Sequence, residues 1–196
     1  MRKEKILTFV LLSLISINSF AQNRAVYRSG ADDLITIRKI TLLPVFDNLR
    51  GIYSRPVETH LTDILSHSHR WDFTPANTSG PMMTPDELEE NLSAVTSISQ
   101  GLDADAFIAM SISKGPSGIS MKMDLFLKAD QKLIAQEFVS EIKSFDVIGI
   151  KKQAESLMNK LFNHLPYSGM VLSRQGTRVT VNLGRQDGIV PDQILS

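Results

Sequence analysis

The sequence predicts an α/β fold, with α+β as the alternative: a mixed β-sheet with helices packed on it in two or three layers. Three observations predict it. Strand-like and helix-like runs alternate along the chain in the order β-α-β-α-β-β-β-α. The longest helical stripe (Ile150, Ala154, Leu157, Met158, Leu161, Leu165) keeps a 3.6-residue period and stops at Pro166. Beyond Pro166 the pattern changes to short β runs between glycines, which predicts a small all-β module.

Residues 34–46 (LITIRKITLLPVF) are rich in Ile, Leu and Thr and predict the first strand, closed by turn chemistry at Asp47-Asn48-Leu49-Arg50-Gly51. A helix is expected from Ser54, with Pro56 in its first turn and Val57, Leu61, Ile64 and Leu65 on one face. Trp71 to Pro75 predicts a short strand ending at proline. Thr84-Pro85-Asp86-Glu87 has the form of a capping box. It opens one helix whose face runs through Leu88, Leu92, Val95, Ser99 and Leu102, with Gly101 as the stop.

Three strands follow. Residues 106–113 are short and apolar, and Lys114 to Gly118 predicts a turn or open loop. Residues 119–127 alternate: Ile119, Met121, Met123, Leu125 and Leu127 take one side, with Ser120, Lys122 and Asp124 on the other. Phe126 is the exception. That pattern predicts a half-buried antiparallel strand, returned by residues 133–142 after a four-residue turn. Asp146 to Leu165 is the last helix. In the tail, residues 169–173 and 178–183 predict a hairpin around Arg174-Gln175-Gly176-Thr177, and a third strand starts at Ile189. Some 30 residues of short strands make no stable core alone, so the module at 167–196 either packs on the first domain or is incomplete; the second is expected, because Gln193-Ile194-Leu195-Ser196 ends inside an apolar run.

The amino terminus predicts export. Arg2, Lys3 and Lys5 precede an apolar run from Ile6 to Ile17, and Ser19-Phe20-Ala21 supplies small residues for cleavage after Ala21. The run is shorter than the ~20 apolar residues a spanning helix needs, so no membrane insertion is expected after cleavage. Residues 22–33 read as a polar lead-in to a domain at 34–166. The sequence holds no cysteine, which excludes disulfides, thiolate catalysis, Cys-based zinc sites and a lipid-modified terminal cysteine. Of 21 basic and 21 acidic residues, the signal carries three basic (Arg2, Lys3, Lys5) and one acidic (Glu4). The remaining 18 against 20 give no electrostatic footprint for nucleic acid.

Chemical candidates are few. His60 and His67 are seven apart on a predicted helix, and His67-Ser68-His69 has chelating spacing if extended. The plainer reading puts all three on the polar side and the end of that helix, with Glu58 and Asp63 as its nearby carboxylates. His164 sits at a helix carboxy terminus, where a cationic side chain suits the dipole. Gly115-Pro116-Ser117-Gly118 lacks the nucleophile-elbow pattern, and no helix follows Gly184 to Gly188 to hold a phosphate. Glu89 and Glu90 are expected to be solvated, Met121 and Met123 to be core, and Asn182, Gly184 and Gly188 to shape turns.

The run Ile40-Thr41-Leu42-Leu43-Pro44-Val45-Phe46-Asp47-Asn48 resembles the opening strand of TolB amino-terminal-like domains, with Val45 inserted between Pro44 and Phe46. Gly101-Leu102-Asp103-Ala104-Asp105-Ala106-Phe107-Ile108 is similar to that family's helix-to-strand junction. The tail, with Gly169-Met170-Val171, Val179 to Gly184 and Asp187-Gly188-Ile189, resembles the carboxy-terminal module of the flagellar assembly protein T family. The resemblance implies a periplasmic, non-enzymatic interaction or assembly component of the bacterial cell envelope, and one that is flagellar-assembly-like in its tail. It implies envelope proteins as partners, and it carries over no catalytic, cofactor-binding or metal residue. Two other readings stand beside it. One is a secreted metal-assisted enzyme using His60, His67 and His69; the other is a small-ligand-binding envelope protein with its pocket where the loop from Thr74 to Met83 meets the sheet.

Overall fold

A computed structural model of the 196-residue chain describes residues 34, 36–68, 70–76, 83–143, 145–166, 171–181 and 183. These belong to one compact unit, Ala31–Ser196. The expected export signal, the lead-in at 22–33, His69, residues 77–82 of the loop, and the tail from 184 onward lie outside the described residues.

The chain forms β1 (Lys39–Leu42), β2 (Phe46–Asp47), α1 (Ser54–Ser66), β3 (Asp72–Phe73), α2 (Pro85–Glu90), α3 (Leu92–Gly101), β4 (Ala106–Gly115), β5 (Gly118–Leu127), β6 (Lys132–Ile142), α4 (Val147–Asn163), β7 (Val171–Gln175) and β8 (Arg178–Val181). This is the predicted mixed α/β architecture. The main sheet runs β3-β1-β4-β5-β6, with β2 also on β4. β1 is parallel to β3 and β4, whereas β4, β5 and β6 are antiparallel. The connection from β1 to β3 and the one from β3 back past β1 to β4 travel in opposite directions along the sheet. Crossovers of one hand therefore place α1 and α2–α3 on opposite faces.

Two apolar clusters confirm the three layers. Ile40, Ala106, Ile108, Met110, Met121, Met123 and Leu125 meet Val57, Leu61 and Leu65 of α1 and Ile150, Ala154, Leu157 and Leu161 of α4. On the other face Leu43, Phe107, Ala109 and Phe126 meet Leu88, Val95 and Leu102 around α2 and α3. Phe107 and Phe126 stack there with centroids 5.2 Å apart. The side of β5 expected to be solvated is therefore covered at one end, and Phe126 is the residue that marks it.

The expected first strand is shorter than its apolar run and broken. Regular pairing starts at Lys39, because the Asp105 carboxylate accepts the backbone N–H groups of Arg38 and Lys39, each at 2.8 Å. It then breaks at Leu43 to Val45. Leu42 pairs with Ile108 and Phe46 with Ser111, so four steps on this strand match three on β4. That is a one-residue bulge, and Val45 is the extra residue of the sequence comparison. Its side chain is fully buried, and its N–H is taken by the Glu58 carboxylate of α1 at 3.0 Å.

Asp47 then organises the turn into α1. One oxygen accepts from Leu49 and Gly51, the other from Tyr53 and Ser54. Burial works to raise its carboxyl, yet these four donors hold it below the ordinary carboxylate value. Asn48 extends the ladder by side chain, accepting from the Lys114 N–H at 2.9 Å.

The single helix expected from Thr84 is two. The capping box of Thr84 and Glu87 forms as predicted, but Asn91 leaves the helical conformation after six residues (φ −126°, ψ 85°) and caps α3 through the Ala94 N–H. The break rephases the stripe and leaves Leu92 63% exposed. Asp146 caps α4 at the Gly149 N–H, 2.6 Å away. At its other end, Arg70 donates to the Leu165 carbonyl at 2.8 Å while stacked over Trp71. The tail hairpin β7–β8 turns at Gly176-Thr177, and the third strand expected from Ile189 lies outside the described residues.

Candidate functional site

The exposed half of the α2–α3 face carries the polar residues of the sheet. Alternation brings Ser111 and Ser113 of β4, Ser120, Lys122 and Asp124 of β5, and Gln136 and Phe138 of β6 to one side. α2 covers the Phe107–Phe126 end and stops after six residues. Its Asp86 and Glu89 side chains then hang over the remainder. Asp86, Ser111, Ser113, Ser120, Lys122, Gln136 and Phe138 line a cleft of about 370 Å³.

Lys122 is the hub. Its ammonium donates to Asp86 at 2.5 Å and to Glu89, and lies 3.8 Å from Asp124. Gln136 also donates to Glu89, at 2.7 Å. Burial opposes the charge on Lys122, but the Asp86 and Glu89 partners push it up to about 12. The hydrogen bond from Lys122 holds Glu89 below its ordinary value.

Asp124 is the anomaly. It is fully buried, and neither carboxylate oxygen has a hydrogen-bond partner. Burial pushes its carboxyl up to about 7; the neighbouring Glu89 carboxylate adds to the rise, and Lys122 and Gln136 oppose it. Three acidic groups thus lie within 3.8 Å of one ammonium.

Sequence reasoning missed this cluster. It expected Glu89 to be solvated and Asp124 to face water; Glu89 is exposed but also paired with β5 and β6, and Asp124 lies buried beneath it. The available signal was Phe126, an apolar residue on the polar side of β5 two positions from Asp124.

The described histidines, His60, His67 and His164, are not brought to one centre. His60 faces α4, 3.2 Å from Glu155. His67 folds back on its own helix, with Nδ1 2.8 Å from the Asp63 carbonyl. His164, at the α4 terminus, contacts Glu137 of β6 at 2.7 Å. Among the described residues, no group of three or more His, Cys, Asp or Glu side chains is placed to hold a metal ion. Pro116-Ser117 is the two-residue turn between β4 and β5. Of the loop from Thr74 to Met83, Ala76 and Met83 pack onto the second apolar cluster. A separate cleft of about 480 Å³ lies at the opposite end of the strands, around Lys39, Asp103, Asp105 and Lys128. Its Lys39–Asp103 contact measures 3.2 Å.

β6 is the long edge strand of the sheet; the other edge is the two-residue β3. No strand pairs with the outer side of β6 among the described residues. Two register shifts interrupt it: β6 advances two residues for one of β5 between Leu133 and Ala135, and three for two between Val139 and Ile142. Glu141, within the second, has φ +58°. Bulges twist an edge away from further pairing. Between them, residues 135–139 are regular, and Phe138 is 60% exposed at the cleft rim.

Fold and site together define a three-layer α/β domain with an open strand edge beside a polar cleft. No protein-family model matches the chain, and no curated protein matches it in sequence. Among solved structures it is similar to TolB from Acinetobacter baumannii, at 16% identity and a TM-score of 0.43; 66% of this chain aligns with 28% of that one. It is also similar to lipoprotein GNA1162 from Neisseria meningitidis, at 13% identity and a TM-score of 0.41, covering 64% of this chain and 96% of that one. The LpoB C-terminal domain from Salmonella enterica aligns at 13% identity and a TM-score of 0.37, over 52% and 80% of the two chains. No helix among the described residues is long and apolar enough to cross a membrane.

Proposed function

We infer that this chain is an exported, non-enzymatic interaction or assembly protein of the bacterial cell envelope, periplasmic after cleavage at Ala21. The observation that carries the reading is the edge of β6: five regular residues, open on one side, with an exposed phenylalanine at their rim. Such an edge takes a partner by strand addition, main-chain bonds giving affinity and alternate side chains giving specificity. The export segment and the TolB-like motifs support the compartment. In the structure those motifs have structural tasks: Asp105 holds the start of β1, and Asp47 and Asn48 hold the end of β2.

The same reading divides the chain into a domain at 34–166 and a small β module at 167–196. The flagellar-assembly likeness belongs to that second part, of which residues 171–181 form a hairpin with exposed Val171, Leu172 and Val179.

A photo-crosslinking residue at Phe138, compared with one at the exposed Lys152 of α4, tests the reading in intact cells. A discrete crosslinked envelope protein at Phe138 and none at Lys152 is expected. Equal labelling at both positions, or none at Phe138, would reject β6 as the docking edge.

A further inference from the structure

We propose that the segment docking on β6 carries a basic side chain, lysine or arginine, seated in the cleft over Gln136, with an apolar residue two positions away against Phe138. The inference rests on the reading of β6 as the docking edge and names the chemistry of its partner.

The geometry follows from sheet registry. Asp124 pairs with Gln136 and Lys122 with Phe138, so these pairs form two neighbouring rows on the cleft side of the sheet. A strand added beside residues 135–139 extends each row by one side chain. Those two side chains are two residues apart in the incoming segment, whichever way it runs. One continues the Asp124–Gln136 row and the other continues the Lys122–Phe138 row.

The rows differ in chemistry. Phe138 offers a half-exposed ring and suits an aliphatic neighbour. At Gln136 the neighbour is the Glu89 carboxylate, drawn over β6 by its bond to the Gln136 amide, with Asp86 beyond it. Asp86 and Glu89 alone outnumber the one ammonium of Lys122, so the cleft keeps an unbalanced negative charge. Asp124 is the independent sign that the cluster is incomplete: it is fully buried on this face, and both oxygens lack a donor. A second cation beside Glu89 redistributes the Lys122 donors towards it. An acidic side chain in that position meets like charge in a site partly shielded from water.

The test uses labelled seven-residue peptides of alternating threonine and valine, with arginine at the centre and valine two positions to either side. A second peptide carries glutamate at the centre. The exported full chain is compared with its Glu89→Gln, Asp86→Asn and Phe138→Lys variants, each checked for native circular dichroism. The arginine peptide is expected to bind at least about fivefold more tightly than the glutamate one, as a rim ion pair allows. The difference is expected to shrink in Glu89→Gln and Asp86→Asn, while Phe138→Lys weakens both peptides.

Equal binding of the two peptides, still lost in Phe138→Lys, would overturn the basic-residue inference and leave the docking edge standing. Binding indifferent to Phe138→Lys would remove the edge as well. Displacement of the arginine peptide by a neutral chitooligosaccharide would overturn the proposal in favour of a glycan. Self-association abolished by Phe138→Lys would overturn it in favour of a second copy of this chain.

Discussion

The Asp124 carboxylate lies 3.8 Å from the Lys122 ammonium, fully buried and without a hydrogen-bond donor of its own. Burial raises it from an ordinary 3.8 to about 7, so the folded protein holds a proton there that the unfolded chain releases. The sign follows from linkage: where the native state binds more protons, stability falls as pH rises. Between about pH 4 and about 7, Asp124 should therefore lower the melting temperature progressively, with no further effect above. Glu89 and Asp47, both held below their ordinary values, act the other way, and their contribution is lost only as pH falls through those lowered values. Melting curves from pH 4 to 8 should show the decline in the native protein and not in Asp124→Asn, which should be the more stable of the two above pH 7. A native curve flat across that range would contradict the assignment.

Asp47 receives four backbone N–H groups at the turn into α1. Asp47→Ala should cost about 3 kcal/mol, since bonds to a charged group are among the stronger ones and several donors lose their acceptor together. Urea unfolding measures it. Asp47→Asn, keeping one acceptor oxygen, should fall between the two.

Glu58 closes the bulge at Val45 through one bond to a backbone N–H. Glu58→Ala should cost about 1–3 kcal/mol for the orphaned donor, whereas Glu58→Gln keeps an acceptor and should cost less. Equal losses in the two variants, read by urea unfolding, would mean that the carboxylate charge and not the bond matters.

Gly118 has φ +146°, and a Cβ there would sit 2.8 Å from the Ile142 carbonyl oxygen. Gly118→Ala should cost about 1–3 kcal/mol through backbone strain alone. Because Ile142 pairs beside it at the second register shift of β6, hydrogen exchange should quicken first at residues 140–142.

The fold was legible wherever one face decides an element. The Ile119–Leu127 alternation and the α4 stripe carry their own period, and Thr84, Asp146 and Pro166 mark boundaries by local chemistry. Elements decided by partners distant in sequence were less legible. The break at Leu43 to Val45 depends on a register with β4 some 65 residues later and on Glu58 in the next helix. The split at Asn91 places an asparagine cap inside an apolar stripe whose spacing alone runs on unbroken. The polar cleft was the least legible part. Serine, lysine and aspartate alternating along a strand read as a solvated face, and only the placement of a six-residue α2 over part of that face makes Asp124 buried and Glu89 paired.

The most direct test of the account is hydrogen exchange of residues 135–139 in the captured complex. Strand addition predicts that the outward amides of this five-residue window slow markedly on binding while those of β7 and β8 stay unchanged. Protection confined to residues 171–181, with 135–139 exchanging as in the free protein, would contradict it.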